Sequence, residues 1–156
     1  MCFNLFSKLL GGRLPPFGSA AIIVEQDDRY LVIELPGGRL VFPGGFMKWN
    51  ERPEQTAQRE GKEETGLDLR IGHLFNIYPL STRSLFKMSN VCFVYCAEVV
   101  GGTLRKNIEG KPGWVTEDEL RAHFGEHALG ILGDYLEYRQ RHRDATTSDC
   151  REVPLV

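Results

Sequence analysis

The sequence is poor in the features that would announce a disulfide framework, a zinc site, a membrane span or a nucleic-acid-binding surface. Only four cysteines occur in 156 residues, Cys2, Cys92, Cys96 and Cys150, and none forms a CxxC pair. That spacing argues against zinc. Cys92 and Cys96 fall in an apolar, strand-like run, where free cysteine behaves as a small hydrophobe. Structural disulfides are not expected, and a reducing cytoplasm is the simpler location. No apolar run approaches the ~20 residues that cross a bilayer. Residues 1–10 are mildly apolar but lack a signal peptide's long core and cleavage site. Charge of one sign is also lacking, since 19 basic and 21 acidic residues leave a net charge of −2. This balance argues against a polymeric nucleic acid as partner, while a small nucleotide in a local pocket stays open. Internal repeats and low-complexity tracts are absent.

What is present suits one globular domain: 42% of residues are hydrophobic and 26% charged. Phe3, Phe6 and Leu10 near helical spacing make residues 1–10 a short helix or a frayed end, and Gly11-Gly12 and Pro15-Pro16 a linker. We therefore divide the chain into an N-terminal segment and linker (1–17), one domain (18–143) and a poorly ordered tail (144–156). Residues 20–25 read as a strand, Asp27-Asp28 as a turn and 30–35 as the returning strand. Pro36-Gly37-Gly38 turns the chain into a third short strand at 39–42. Residues 53–65 read as a helix, with Pro53 and Glu54 in its first turn and Gly66 as its stop. Further strands are expected at 68–78 and 89–100. Gly110, Pro112 and Gly113 predict a loop before Trp114. Thr116 and Glu119 form a capping-box pattern that opens a short helix, and 128–143 reads as a final helix. This order predicts an α/β fold, a sandwich with an antiparallel or mixed sheet.

Residues 44–67 stand out chemically. Glu60, Glu63 and Glu64 fall at i, i+3 and i+4, which puts three carboxylates on one helical face. Like charges at that spacing repel by tenths of a kcal/mol per pair. A divalent cation over the face would relieve this, and carboxylate oxygens are what Mg2+ prefers. Mg2+ also keeps waters and bridges carboxylates to substrate phosphates. Gly44-Gly45 allows backbone conformations closed to other residues and brings a carbonyl near a metal or phosphate. Charge alone favours a solvated surface helix, because residues 51–64 hold five acids and the three bases Arg52, Arg59 and Lys62.

The full spacing is more specific. Gly45, five residues, Glu51, seven residues, Arg59-Glu60, two residues, Glu63-Glu64, one residue and Gly66 resemble the signature of the Nudix hydrolases. Seven fixed identities at about one in twenty each would match by chance on the order of once in a billion starts. Leu67 supplies the aliphatic residue that the signature wants after Gly66, whereas Gly61 departs from the larger aliphatic usual at its position.

The resemblance implies an α/β/α sandwich around a mixed sheet and Mg2+-dependent (Mn2+ as substitute) hydrolysis of a nucleoside diphosphate linked to another moiety. By resemblance, Glu60, Glu63 and Glu64 bind metal with the Gly44 carbonyl, while Arg59 and Glu51 form the supporting pair. Glu60, Glu63 and Glu109 are all candidate general bases, because the family does not use one position throughout. Outside the signature, Trp49 is a candidate for stacking on a base. Arg39 and Arg83, with Lys87 and Arg105, are candidates for pairing with phosphate. The alternative is a nucleotide-sensing module of the same fold that does not cleave, and a homodimer stays open. Triphosphates, ADP-ribose, nucleotide sugars and dinucleoside polyphosphates all remain candidate substrates, since specificity resides in loops outside the signature.

Overall fold

The computed structural model describes residues 17–81, 89–108 and 110–149. The candidates Arg83, Lys87 and Glu109, the expected N-terminal segment short of Phe17, and the end of the expected tail lie outside these residues.

Two sheets form the centre. The first is mixed, with strand order β5-β1-β7-β6. It comprises β5 (Gly44–Phe46), β1 (Phe17–Ile23), β7 (Ser89–Gly102) and β6 (Leu67–Ser81). β1 runs parallel to β7 and antiparallel to β5, and β6 runs antiparallel to β7. The second sheet is antiparallel: β3 (Arg29–Glu34) pairs with β2 (Glu25–Gln26), β4 (Leu40–Val41) and β8 (Lys111–Val115). Asp27 and Asp28, the expected turn, both take positive φ (52° and 56°), the backbone of a tight β-hairpin.

Helices cover both faces. The alternation of side chains along a strand explains how. In β1, Ala20 and Ile22 pack with Ala57 of α1 (Pro53–Thr65). Ile23 faces the other way, among Leu120 of α2 (Glu117–His123) and Ile131 and Leu132 of α3 (Glu126–Asp149). In β7, Tyr95 and Ala97 join the α1 side, whereas Cys92 and Val94 join the α2 and α3 side. A strand buried on both faces reads as an unbroken apolar run, as residues 20–24 do. The result is the α/β/α sandwich that the sequence led us to expect.

α1 has the expected ends. Pro53 opens it, the Gln55 side chain accepts the Arg52 N–H at 2.9 Å, and Gly66 closes it with φ 79°. Thr116 and Glu119 likewise cap α2 reciprocally. Three expectations need correction. The loop expected before Trp114 is instead strand from Lys111 on, in β8. Pro112 sits opposite Ile33 there, and among the described strands β8 pairs only with β3. An edge strand tolerates a residue without an N–H. The final helix begins two residues earlier than expected, at Glu126, and stays helical to Asp149, through residues assigned above to the tail. Gly44 and Gly45 do not use left-handed backbone, since neither is among the positive-φ glycines. They serve close approach instead, because a Cβ at Gly44 would lie 2.6 Å from the Ala21 Cα.

Candidate active site

The site forms where β5, the loop at 47–52 and α1 meet. Its organising residue is Arg59, whose side chain is largely buried. Arg59 grips Glu51 with a two-pronged fork, Nε to Oε1 at 2.7 Å and Nη2 to Oε2 at 2.8 Å. Such paired charge-assisted bonds fix geometry as well as adding energy. Nη2 also donates to the Phe46 carbonyl at 3.1 Å, which ties the helix to the end of β5. Nη1 donates to Glu60 at 2.6 Å and reaches Glu63 at 3.3 Å.

Glu51 organises the loop in turn. Its Oε2 accepts from the Lys48 N–H at 2.9 Å and from the Thr56 hydroxyl at 2.7 Å. Asn50 beside it takes a left-handed φ of 62°. The Arg59 fork first, and the Lys48 N–H second, hold the Glu51 carboxyl well below the usual carboxylate range. The same bond to Glu51 raises Arg59 above its already high value.

The three helical glutamates differ in setting. Glu64 is buried, and one oxygen accepts the Gly44 N–H at 2.8 Å. Glu60 is mostly buried and lies against Gly45, so that a Cβ on Gly45 would stand 2.5 Å from Glu60 Oε1. Glu63 is the accessible one, its side chain 55% exposed, with Lys48 at 3.8 Å. Arg59 therefore supplies part of the charge compensation that the spacing argument gave wholly to a cation. Among the described residues, no three His, Cys, Asp or Glu side chains converge as a ready-made metal cage. The donor chemistry nevertheless suits a hard cation: it is all oxygen, and Gly45 leaves the space in front of the Glu60 carboxylate free of a side chain.

The outlying candidates are not drawn into this cluster. Trp49 is on the same loop but 98% exposed. Arg39 is exposed in the β3–β4 turn and makes no bond to the glutamates. Arg105 lines a groove beside Glu63. Two contributors escaped the sequence reading. Thr56 is fully buried at the start of α1, and its only signal was a hydroxyl five residues after Glu51. Asn107 donates to the Glu63 carbonyl at 3.2 Å, a contact with no signal at all in local sequence.

The sequence profile of the NUDIX domain matches residues 15–135. A MutT-like protein of Streptomyces ambofaciens is 32% identical over 124 residues, which is 76% of this chain and 77% of that protein. An ADP-ribose pyrophosphatase of Methanocaldococcus jannaschii is 31% identical over 93 residues, 57% of this chain and 54% of its own length. Among solved structures, a NUDIX hydrolase from Nitrosomonas europaea matches with a TM-score of 0.71 at 28% identity, over 79% of this chain and 90% of that one.

Proposed function

The chain belongs to the Nudix hydrolase family, and on that premise we propose that it is a Mg2+-dependent enzyme cleaving the diphosphate bond of a nucleoside diphosphate-linked substrate. The observation that carries this reading is the linkage of Arg59 to Glu51, Glu60 and Glu63. It holds an acidic face in place beside two glycines, an arrangement a solvated surface helix has no need of.

Glu60, Glu63, Glu64 and the Gly44 carbonyl are the groups that would hold Mg2+, with Mn2+ as a substitute. When bound, the cation neutralises phosphate oxygens and makes a bound water more acidic. Arg59 and Glu51 position these carboxylates and do not meet the substrate. In the reaction, a water oxygen bonds to phosphorus, the bridging P–O bond breaks, and the leaving phosphate keeps the electron pair. The water proton passes to a carboxylate, for which Glu60, Glu63 and Glu109 remain the candidates. Trp49, exposed on the loop before α1, is assigned to stacking on a base. Arg39 and Arg83 are assigned to phosphate.

No described helix is long and apolar enough to cross a membrane. Cys92 and Cys96 are free, which supports a reducing, cytoplasmic setting. The relatives' names support nucleotide diphosphates as the substrate class: one acts on ADP-ribose, and another is a hydrolase of a CMP-linked phosphonate. The test is to incubate the purified protein with Mg2+ and a panel of nucleoside triphosphates, ADP-ribose, nucleotide sugars and dinucleoside polyphosphates, and to separate products by chromatography. At least one member should be cut at its diphosphate, and a chelator should abolish that cleavage. Full turnover in chelator, or intact substrates throughout, would overturn the reading.

A further inference from the structure

The segment at residues 103–108 is seated on the C-terminal end of α1. The Arg105 N–H donates to the Thr65 carbonyl at 2.9 Å, and Asn107 Nδ2 donates to the Glu63 carbonyl at 3.2 Å. Asn107 Oδ1 then closes the loop by accepting the Gly110 N–H at 2.9 Å. Gly66 makes this approach possible, because a Cβ there would stand 2.5 Å from the Thr103 carbonyl and 3.1 Å from the Arg105 Cβ.

Between loop and helix lies an open groove of about 490 Å³, bordered by Lys62, Glu63, Asp68, Arg105 and Lys106. The charges along it are unequal. Lys62 is engaged by Asp68 at 2.6 Å and by the Gly66 carbonyl at 3.1 Å. Glu63 is shared by Arg59 and Lys48. Arg105 and Lys106 are exposed, and among the described residues neither side chain has an ion pair or hydrogen bond. Two adjacent cations thus border a groove that runs alongside the most accessible glutamate of the site.

We propose that this groove takes the free terminal phosphate of the substrate, with Arg105 and Lys106 as its ligands, so that the site favours substrates whose phosphate chain ends uncapped. The proposal rests on the hydrolase reading above. A terminal phosphate carries nearly two negative charges near neutral pH and presents three acceptor oxygens. A diphosphate capped by a neutral sugar offers neither, and leaves both cations unpaired. Arginine and lysine divide the work naturally, a planar fork beside a point charge.

The test is an R105A/K106A double variant of the full chain, assayed with Mg2+ on a nucleoside triphosphate and on ADP-ribose. Both side chains are exposed, so an unchanged melting temperature is expected. kcat/KM for the triphosphate should fall about 10- to 100-fold, the scale of one or two charged hydrogen bonds, with most of the loss in KM. ADP-ribose should change less than about 3-fold, and R105K/K106R should retain most triphosphate activity. Binding of inorganic pyrophosphate without added metal, followed by calorimetry, should weaken in the double alanine variant. Equal losses on both substrates, or no loss on the triphosphate, would overturn the proposal. If the wild type cuts neither substrate, the pyrophosphate titration alone decides for or against the groove; the hydrolase reading itself falls only if every member of the panel above stays intact.

Discussion

The carboxylate of Glu60 lies where a side chain on Gly45 would be: a Cβ there would stand 2.5 Å from Oε1 and 2.7 Å from Oε2. Gly45 is not at positive φ, so alanine fits its backbone and only the carboxylate must yield. Gly45→Ala should therefore fold with a melting temperature within a few degrees of wild type. Its apparent affinity for Mg2+ should weaken and its turnover fall at least about 10-fold, the scale of a displaced catalytic contact. Initial rates across a Mg2+ titration check this, and an unshifted titration would separate Glu60 from the metal.

Glu63 and Glu64 give a sharper test of the same face. Glutamine keeps the shape of either side chain and removes its charge. In Glu64→Gln the amide oxygen can still accept the Gly44 N–H, so the link from helix to β5 survives. Turnover in each variant should fall at least about 100-fold, as when one major electrostatic contact is lost. Melting temperatures should stay close to wild type. Near-normal kcat in both variants would show that the metal face lies elsewhere.

The parts of this architecture legible in sequence are those fixed by local chemistry. Pro53, Glu54 and Gly66 marked both ends of α1, and Thr116 with Glu119 marked the start of α2, because caps act within one turn. The spacing of Glu51, Arg59, Glu60, Glu63 and Glu64 marked a candidate site, and the fold links the first four of these side chains through Arg59. The misread parts depend on distant partners. Pro112 and Gly113 look like loop residues until β3 pairs with them. β6 runs on to Ser81 because β7 continues opposite it. The sequence showed acids that repel, but only the fold shows Arg59 reaching Glu51, Glu60 and the Phe46 carbonyl at once. Gly66 was readable as a helix stop, whereas the room it leaves for Arg105 was not.

Glu51 should leave a signature in acid. Its carboxyl is held below the ordinary value of 4.5 by the Arg59 fork and the Lys48 N–H. A depressed native value means that the ionised form is stabilised by folding. That contribution is complete above about pH 4.5 and is lost progressively as the pH falls toward the native value. Glu51→Gln lacks it at every pH. Its melting temperature should lie below wild type at neutral pH, and the gap should narrow as the pH drops from about 5 to 3. Thermal melts of both proteins across that range measure the gap. Parallel curves would mean that Glu51 is not ionised by its partners.

Gly61 is the position where this chain departs from the family's usual aliphatic residue, and the structure gives the reason. A Cβ there would press on Leu69 Cδ1 and stand 2.9 Å from Ile22 Cδ1, so neighbouring side chains already fill the space. Two effects oppose each other in Gly61→Ala. Helix propensity favours alanine by about 1 kcal/mol. Overpacking costs about 1–3 kcal/mol when the neighbours cannot move. Leu69 is 4% exposed and Ile22 is 0% exposed, both wedged between α1 and the sheet, so overpacking should prevail. Gly61→Ala should lose about 1–2 kcal/mol in urea unfolding. Leu69→Ala alone should lose about 2–5 kcal/mol by leaving a cavity. The double variant should be more stable than the two losses predict, by about 1 kcal/mol, because the new methyl group enters the space that Leu69 vacates. A stabilised Gly61→Ala, or strictly additive losses, would mean that Leu69 does not fill the place of the missing side chain.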